Sequence, residues 1–305
     1  MRQTVGSVFF ETHSHWFHAR SVQRNISNEL STSVLLYIIS KPMDEDPAFR
    51  VITSLRWIRG YGTIMLEPDL SLQDIKLLKY HRDRLVAAAQ TFSWHAALSK
   101  LRSNEVKPLT ACIRDHFQNP AETDGIEVYK VRLALSKDGT LGAESSVIEV
   151  VPADGLFDFA LVPKTLDWPL RPKVPCIVYI DTVRSTPSDF TVHKTNFRKP
   201  YDEARARAGI THSGPLQAEV LLYNQDQEIM EASLSAAYFF RGGRWLTPSG
   251  TCGGNASVTR RLALEAGLCK EGVVTVDQVK EGEQMWLSNA VRGFFCGIIR
   301  AGKQE

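Results

Sequence analysis

The segment ADGLFDFALVPKTLDWPLRPKVP, residues 153–175, interrupts the rhythm of the chain. It is rich in proline and has neither the two-residue period of a strand nor the 3.6-residue period of a helix. Stretches of this kind connect compact parts instead of forming one. Upstream, SVLLYIIS and FRVITSLRW read as strands, and SLQDIKLLKYHRDRLVAAAQTFSW as an amphipathic helix with Ser71 at its N-cap and Ile75, Leu78, Leu85 and Ala89 near helical spacing. WHAALSKLRSNEVKPLTACIRDHFQN supplies two more helical pieces. IEVYKVRLALSKDGTLGAESSVIEVVP reads as a hairpin turning at Lys-Asp-Gly. Downstream the order is strand CIVYIDT, helix KPYDEARARAGI, strand AEVLLYN, and two short strands around a Gly-Gly turn in EIMEASLSAAYFFRGGRWLTP. A glycine-rich loop SGTCGGNAS then opens helix VTRRLALEAGL, followed by a strand VVTVDQV and a final strand and turn in QMWLSNAVRGFFCGI. The expected fold class is α+β in two parts. A small N-terminal domain covers 34–152, a connecting loop 153–172 and a larger C-terminal domain 173–305, with 1–33 poorly ordered.

Composition removes several function classes. The net charge of +2 is too balanced for nucleic acid as the main partner. No apolar run approaches the roughly 20 residues that span a bilayer, and no secretory pattern opens the chain. Cys112, Cys176, Cys252, Cys269 and Cys296 are odd in number and contain no C-x-x-C pair, which argues against a disulfide framework or zinc site and for a reducing, cytoplasmic setting. His13, His15 and His18 in HSHWFH lack downstream acidic or cysteine partners, so they read as a surface segment and no metal is expected. Residues 1–33, poor in acid and containing Arg2, Arg20 and Arg24, also have some transit-peptide character.

Four features carry chemistry. Lys194 follows an apolar, β-branched strand and precedes a helical run. A lysine held away from water loses its proton readily and becomes a nucleophile and base, although a lysine after a turn can equally lie on the surface. GTCGGNASVTRR is a glycine-rich loop feeding a helix N-terminus, where backbone N–H groups converge on an anion, with hydroxyls from Ser257 and Thr259; a capped helix after a flexible loop is the plain alternative. It is neither a P-loop nor a dinucleotide fingerprint, so no nucleotide is indicated. Arg84 in HRDRL is either an anion ligand or part of a solvated helix face. Glu231, before an alternating run, is either a surface acid or a partner for a heteroaromatic nitrogen.

Read in order, the chain presents ITSLR, HRDRL, KTNFR, EASLS, SVTRR and SNAVRG. This succession resembles the fold-type IV pyridoxal-phosphate enzymes, the class IV aminotransferase family, over roughly residues 49–300. Within that family it is most similar to the fungal 4-amino-4-deoxychorismate lyases, on the strength of ITSLRW, HKTNFRKPYDEAR and LSNAVRG. The resemblance implies pyridoxal 5′-phosphate as cofactor, with Lys194 matching the lysine that forms the Schiff base and Glu231 the partner of the pyridine nitrogen. Arg84 matches a phosphate ligand, Val258 and Thr259 the phosphate-binding Gly-Ile-Thr, and Asn289 and Ala290 the Asn-Ser pair near the phosphate. The opening D-R-G-x-x-x-G-D-G motif is absent, Ser257 replaces a glycine, Ala290 a serine, and Phe197 a common asparagine.

By the same resemblance, the expected reaction is release of 4-aminobenzoate and pyruvate from aminodeoxychorismate, a step in folate precursor synthesis, with a branched-chain or D-amino acid aminotransferase as the alternative. Ser54 matches a threonine or serine of the family's F-x-T-x-R segment, which implies a part in protonation or in substrate contact. Arg56 and Arg292 are candidates for the two substrate carboxylates. The family is usually homodimeric; a small molecule is the expected substrate, and neither a membrane nor nucleic acid is an expected partner.

Overall fold

The computed structural model describes residues 44, 46–59, 72–101, 105–118, 127–148, 175–210 and 218–301. The expected strand SVLLYIIS, the 1–33 segment with its histidines, the Ser71 cap and the 153–172 connection lie outside these residues. The chain divides into the units Met1–Pro47 and Ala48–Glu305, and the second holds every element named below.

The first part of that unit contains strand β1 (Val51–Arg59), helices α1 (Leu72–Thr91), α2 (His95–Lys100) and α3 (Lys107–His116), and strands β2 (Glu127–Leu135) and β3 (Leu141–Val147). The three strands form an antiparallel sheet in the order β1-β2-β3. Side chains alternate across a strand, so the sheet has two chemically different faces. Val51, Leu55 and Trp57 of β1, with Val131, Leu133 and Leu135 of β2, pack on Leu78, Leu85, Ala88 and Ala89 of α1. Burial of each large apolar side chain contributes about 1.5–3 kcal/mol. The even-numbered positions face the other way: Ile52, Ser54 and Arg56 on β1, Lys130 and Arg132 on β2. Ser54 is paired with Arg132, and Arg56 with Lys130.

The second part begins with β4 (Cys176–Ile180), helices α4 (Asp189–Val192) and α5 (Lys199–Arg207), and strands β5 (Ala218–Tyr223), β6 (Ile229–Ala232), β7 (Ala236–Arg241) and β8 (Arg244–Pro248). Helix α6 (Val258–Glu265) and strands β9 (Lys270–Gly272), β10 (Gln284–Asn289) and β11 (Gly293–Ile299) complete it. Its mixed eight-stranded sheet runs β6-β5-β4-β11-β10-β7-β8-β9. Strand β5 is covered on both faces, with Leu221 and Tyr223 in the main core and Val220 and Leu222 under Tyr201 and Ala204 of α5. The fold is α+β, as expected.

Three local expectations are corrected. The run 228–248 holds three strands, not two, because Ser233–Ser235 turn the chain between β6 and β7. VVTVDQV is not a strand: Thr275 and Gln278 close a capping box around a single 3₁₀ turn at Val276–Gln278. And Lys194 does not end a core strand. The one-turn helix α4, capped reciprocally by Ser188 and Thr191, intervenes after β4.

Candidate active site

Lys194 is placed by the small sheet. The Ile52 amide donates to the Lys194 carbonyl at 2.8 Å, Asn196 N–H to the Arg50 carbonyl at 3.0 Å, and the Asn196 side chain to the Ala48 carbonyl at 2.7 Å. Val51 bridges Thr195 antiparallel, so Lys194 stands opposite Ile52, on the even-numbered face of β1. The residue is half-buried. Burial pushes its pKa well below the usual lysine range; Arg84, Arg198 and Arg132 push in the same direction, and Glu231 opposes them. Lys194 is thus not a freely solvated surface lysine, and its amine gives up its proton more readily than an ordinary lysine does.

Glu231 is a buried residue of β6. Its Oε1 accepts from the Tyr201 hydroxyl at 2.7 Å and from the Asn255 amide at 2.9 Å, whereas Oε2 meets no hydrogen-bond donor among the described residues. Burial raises its pKa, against the lowering effect of Tyr201, Asn255, Lys194 and Arg84. Burial and the nearby Glu231 carboxylate hold the Tyr201 phenol well above its ordinary range, so it stays a donor.

Arg84 projects from α1 to the loop that opens α6. One terminal nitrogen donates to Asn255 Oδ1 at 2.6 Å and to the Ala256 carbonyl at 2.7 Å. Its remaining guanidinium nitrogens meet no acceptor among the described residues. Burial lowers its pKa to about 10, which still leaves it charged at neutral pH. One turn earlier on α1, His81 is buried and shares a 2.6 Å hydrogen bond with Thr53. Burial, then the Arg84 and Lys194 charges, bring its pKa down to about 3, so it is neutral at working pH.

Ser257 is the N-cap of α6. The leading N–H groups of a helix, here those of Val258 and Thr259, have no intrahelical carbonyl partner and suit an anion. The preceding loop can reach this position only without a side chain at Gly254, where a Cβ would run into the Met230 carbonyl. Gly254→Ala is thus expected to displace Asn255 and break its contacts to Glu231 and Arg84. Thermal unfolding should show a lower midpoint, and affinity for an anionic ligand at the helix end should drop.

The other sequence-derived candidates are distributed around this centre. Ser54 and Arg56 lie on the Lys194 face of β1, and the Arg56 amide donates to the Ala290 carbonyl at 3.0 Å. Ala290 packs against Leu77, Tyr80, Val258 and Leu262. The Asn289 amide ties its own loop to the turn between β6 and β7: it accepts from the Val291 and Arg292 N–H groups and donates to Ser235. The Arg292 guanidinium lies 3.7 Å over the Phe295 ring and acts on the Cys176 thiol. Sequence reasoning missed Tyr201, Asn255, His81, Lys130 and Arg132. Tyr201 and Asn255 lie inside the motifs named above, but nothing in the spacing says that both end on one carboxylate oxygen.

The resemblance implies pyridoxal phosphate, and the donor set fits that group. A buried carboxylate oxygen is open to a ring nitrogen, a deprotonation-prone amine lies in the same electrostatic field, and an arginine joins a serine-capped helix end for a phosphate.

Comparison with known proteins agrees. The class IV amino-transferase family model matches residues 72–296. The chain is 26% identical over 238 residues to the "Putative aminodeoxychorismate lyase" of Schizosaccharomyces pombe, covering 77% of this chain and 89% of that one. It is 21% identical over 255 residues to the aminodeoxychorismate lyase of Saccharomyces cerevisiae, covering 73% and 66% respectively. Its fold matches the crystal structure of a "Putative amino-acid aminotransferase" from Mesorhizobium loti with a TM-score of 0.58 at 22% identity, over 83% of this chain and 100% of the other. The family match spans α1, the Lys194 segment, β6 and α6, and this chain belongs to the class IV aminotransferase family, the pyridoxal-phosphate enzymes of fold type IV.

Proposed function

We propose that this chain is a pyridoxal-phosphate-dependent 4-amino-4-deoxychorismate lyase that forms 4-aminobenzoate and pyruvate. The observation that carries the reading is the cationic even-numbered face of the small sheet. Arg56, Lys130 and Arg132 occupy adjacent paired positions on the face to which Lys194 belongs, and Arg132 lies close enough to lower the pKa of Lys194. The proposed substrate bears two carboxylates, and three cations on this face, Arg132 among them near the amine, suit such a dianion better than a branched-chain amino acid. The names of the two curated relatives support the same choice.

In this reading Arg84, Ser257 and the backbone of Val258 and Thr259 hold the cofactor phosphate. Glu231 Oε2 pairs with the ring nitrogen, and Tyr201 and the Asn255 amide orient that carboxylate. Bound pyridoxal phosphate supplies an aldehyde that captures amines and a protonated ring that accepts electrons. Lys194 is the attachment point, and its Nζ, once free, takes the proton from the substrate carbon bearing nitrogen. Loss of that proton and cleavage of the ring carbon–oxygen bond release pyruvate in its enol form and leave an aromatic ring, so the balance needs no second substrate. Arg56, Lys130 and Arg132 receive the carboxylates, and Ser54 stands among them. A homodimer, implied by the resemblance, is the proposed assembly. An odd number of cysteines with no C-x-x-C pair supports a cytoplasmic setting, and among the described residues no helix is long and apolar enough to cross a membrane.

The test is to supply aminodeoxychorismate without any keto acid. Equal, sustained release of 4-aminobenzoate and pyruvate over many turnovers is expected, and Arg132→Ala should raise KM about 10-fold or more, the size of a lost charge-assisted contact. Turnover that stalls until a keto acid is added would assign the aminotransferase instead.

A further inference from the structure

Four hydroxyls run in a line from the middle of the large sheet to the start of α6. Tyr238 on β7 and Ser288 on β10 share a sheet face, because Tyr238 pairs with Trp286 and Ser288 lies two residues further on. Their oxygens are 2.7 Å apart. Ser288 Oγ donates to Thr259 Oγ1 at 2.8 Å, and Thr259 Oγ1 lies 2.9 Å from Ser257 Oγ. Tyr238, Ser288 and Thr259 are each 0% exposed, so water does not compete for these bonds.

Proton counting gives the line a direction. Each hydroxyl has a single hydrogen. That of Ser288 goes to Thr259, so the bond between Tyr238 and Ser288 requires Tyr238 to donate. Tyr238 is a permanent donor, since burial pushes its pKa above the ordinary tyrosine value. Geometry allows the bond between Thr259 and Ser257 to run either way, but Thr259 is fully buried and its hydrogen has no other acceptor among the described residues, so it goes to the Ser257 oxygen. Ser257 in turn accepts from Thr259 and, weakly at 3.5 Å, from the Arg260 amide. Its own hydrogen therefore has no acceptor among the described residues and is left to the mouth of the helix, beside the N–H groups of Val258 and Thr259. Hydrogen bonds in such a chain polarise one another and strengthen its final donor.

We infer that Tyr238 and Ser288 are positioning residues, and that they act through Thr259 to hold the Ser257 hydroxyl as a donor to the cofactor phosphate. Neither touches the cofactor. The inference rests on reading the α6 N-terminus as the phosphate site. It also gives a specific role to Ser257, which stands where the family has glycine. The Ser257 hydroxyl supplies one donor, and the serine hydroxyl lost at Ala290 is thereby replaced.

The experiment measures affinity, not turnover. The cofactor-free protein is titrated with pyridoxal phosphate and, separately, with pyridoxal, which lacks the phosphate, and the ratio of the two dissociation constants is recorded. Tyr238→Phe and Thr259→Val, both close in shape to the native residues, are expected to reduce the preference for pyridoxal phosphate about 3- to 10-fold, the range covered by one net hydrogen bond. Affinity for pyridoxal should not change, and Thr259→Ser, which keeps the hydroxyl, should retain the native ratio. A general loosening of the fold would weaken both ligands together. An unchanged ratio in both Tyr238→Phe and Thr259→Val overturns the inference. Arg84→Ala separates this from failure of the phosphate reading itself. If Arg84→Ala lowers the preference and the hydroxyl variants do not, only the relay falls; if wild type shows no preference at all, the phosphate site falls with it. Should Tyr238→Phe fail to fold, Thr259→Val against Thr259→Ser decides alone.

Discussion

Lys194→Ala is expected to abolish turnover while leaving a folded protein that still takes up pyridoxal phosphate non-covalently. The loss should be at least about 10³-fold. General acid–base catalysis alone contributes about 10²–10⁴-fold, and this residue is also the proposed covalent attachment point. The fold should survive because the contacts anchoring this segment are made by the backbone of Lys194 and by Asn196, not by the lysine amine. Borohydride reduction of the wild type followed by peptide mapping should find the pyridoxyl group on Lys194. A label on a different lysine, or full activity in the variant, would remove Lys194 from its proposed role.

Glu231→Gln should be nearly as severe for kcat, about 10²-fold or more, the scale of a lost catalytic proton or charge partner, with little effect on phosphate affinity. Glutamine can still accept from Tyr201 and the Asn255 amide at the Oε1 position, so the geometry is retained and only the negative charge is lost. A pH titration adds a signed check. Glu231 is the group that raises the pKa of Lys194, and Arg84 is one of those that lower it. In the cofactor-free protein, the reaction of Lys194 with an amine-specific reagent should rise with pH through a midpoint below the usual lysine value, since only the neutral amine reacts. Glu231→Gln should move that midpoint to still lower pH, and Arg84→Gln to higher pH. A shift in the opposite sense for either variant would show that these side chains do not share a field with Lys194. His81 should not contribute to this profile, because it becomes charged only near pH 3.

Much of this architecture was legible in the sequence. Helix α1 announces itself by the spacing of Leu78, Leu85 and Ala89, β2 and β3 by alternation around Lys137-Asp138-Gly139, and α6 by Ser257 after a glycine loop. These are local signals, set by the repeat of the backbone itself. The order of short motifs along the chain also singled out Lys194, Arg84, Glu231 and Ser257–Thr259, the groups that the folded chain gathers around one centre.

Tertiary structure decided the rest, because pairing between distant strands has no local signature. The alternation of β1 and β2 says that odd and even residues face opposite ways, but not which face meets Lys194. That follows only from the bridge between Val51 and Thr195. The same bridge puts Arg132, unremarkable as a strand cation, close enough to act on the amine, with Lys130 further along the same face. The one-turn α4 depends on side chains closing local hydrogen bonds that compete with a continuing strand, whereas the turn at Ser233–Ser235 is held from β5 by Glu219, which accepts from the Ser233 and Ser235 hydroxyls and the Leu234 N–H. Arg292, a candidate for a substrate carboxylate by the resemblance, has its guanidinium over the Phe295 ring, a contact that the folded chain alone reveals. The sequence by itself determined Lys194, Arg84, Glu231 and Ser257–Thr259 as candidates and most of the local elements around them. The register of β1 against Lys194, and the single carboxylate oxygen shared by Tyr201 and Asn255, were decided by contacts between residues far apart in the chain, which no local window contains.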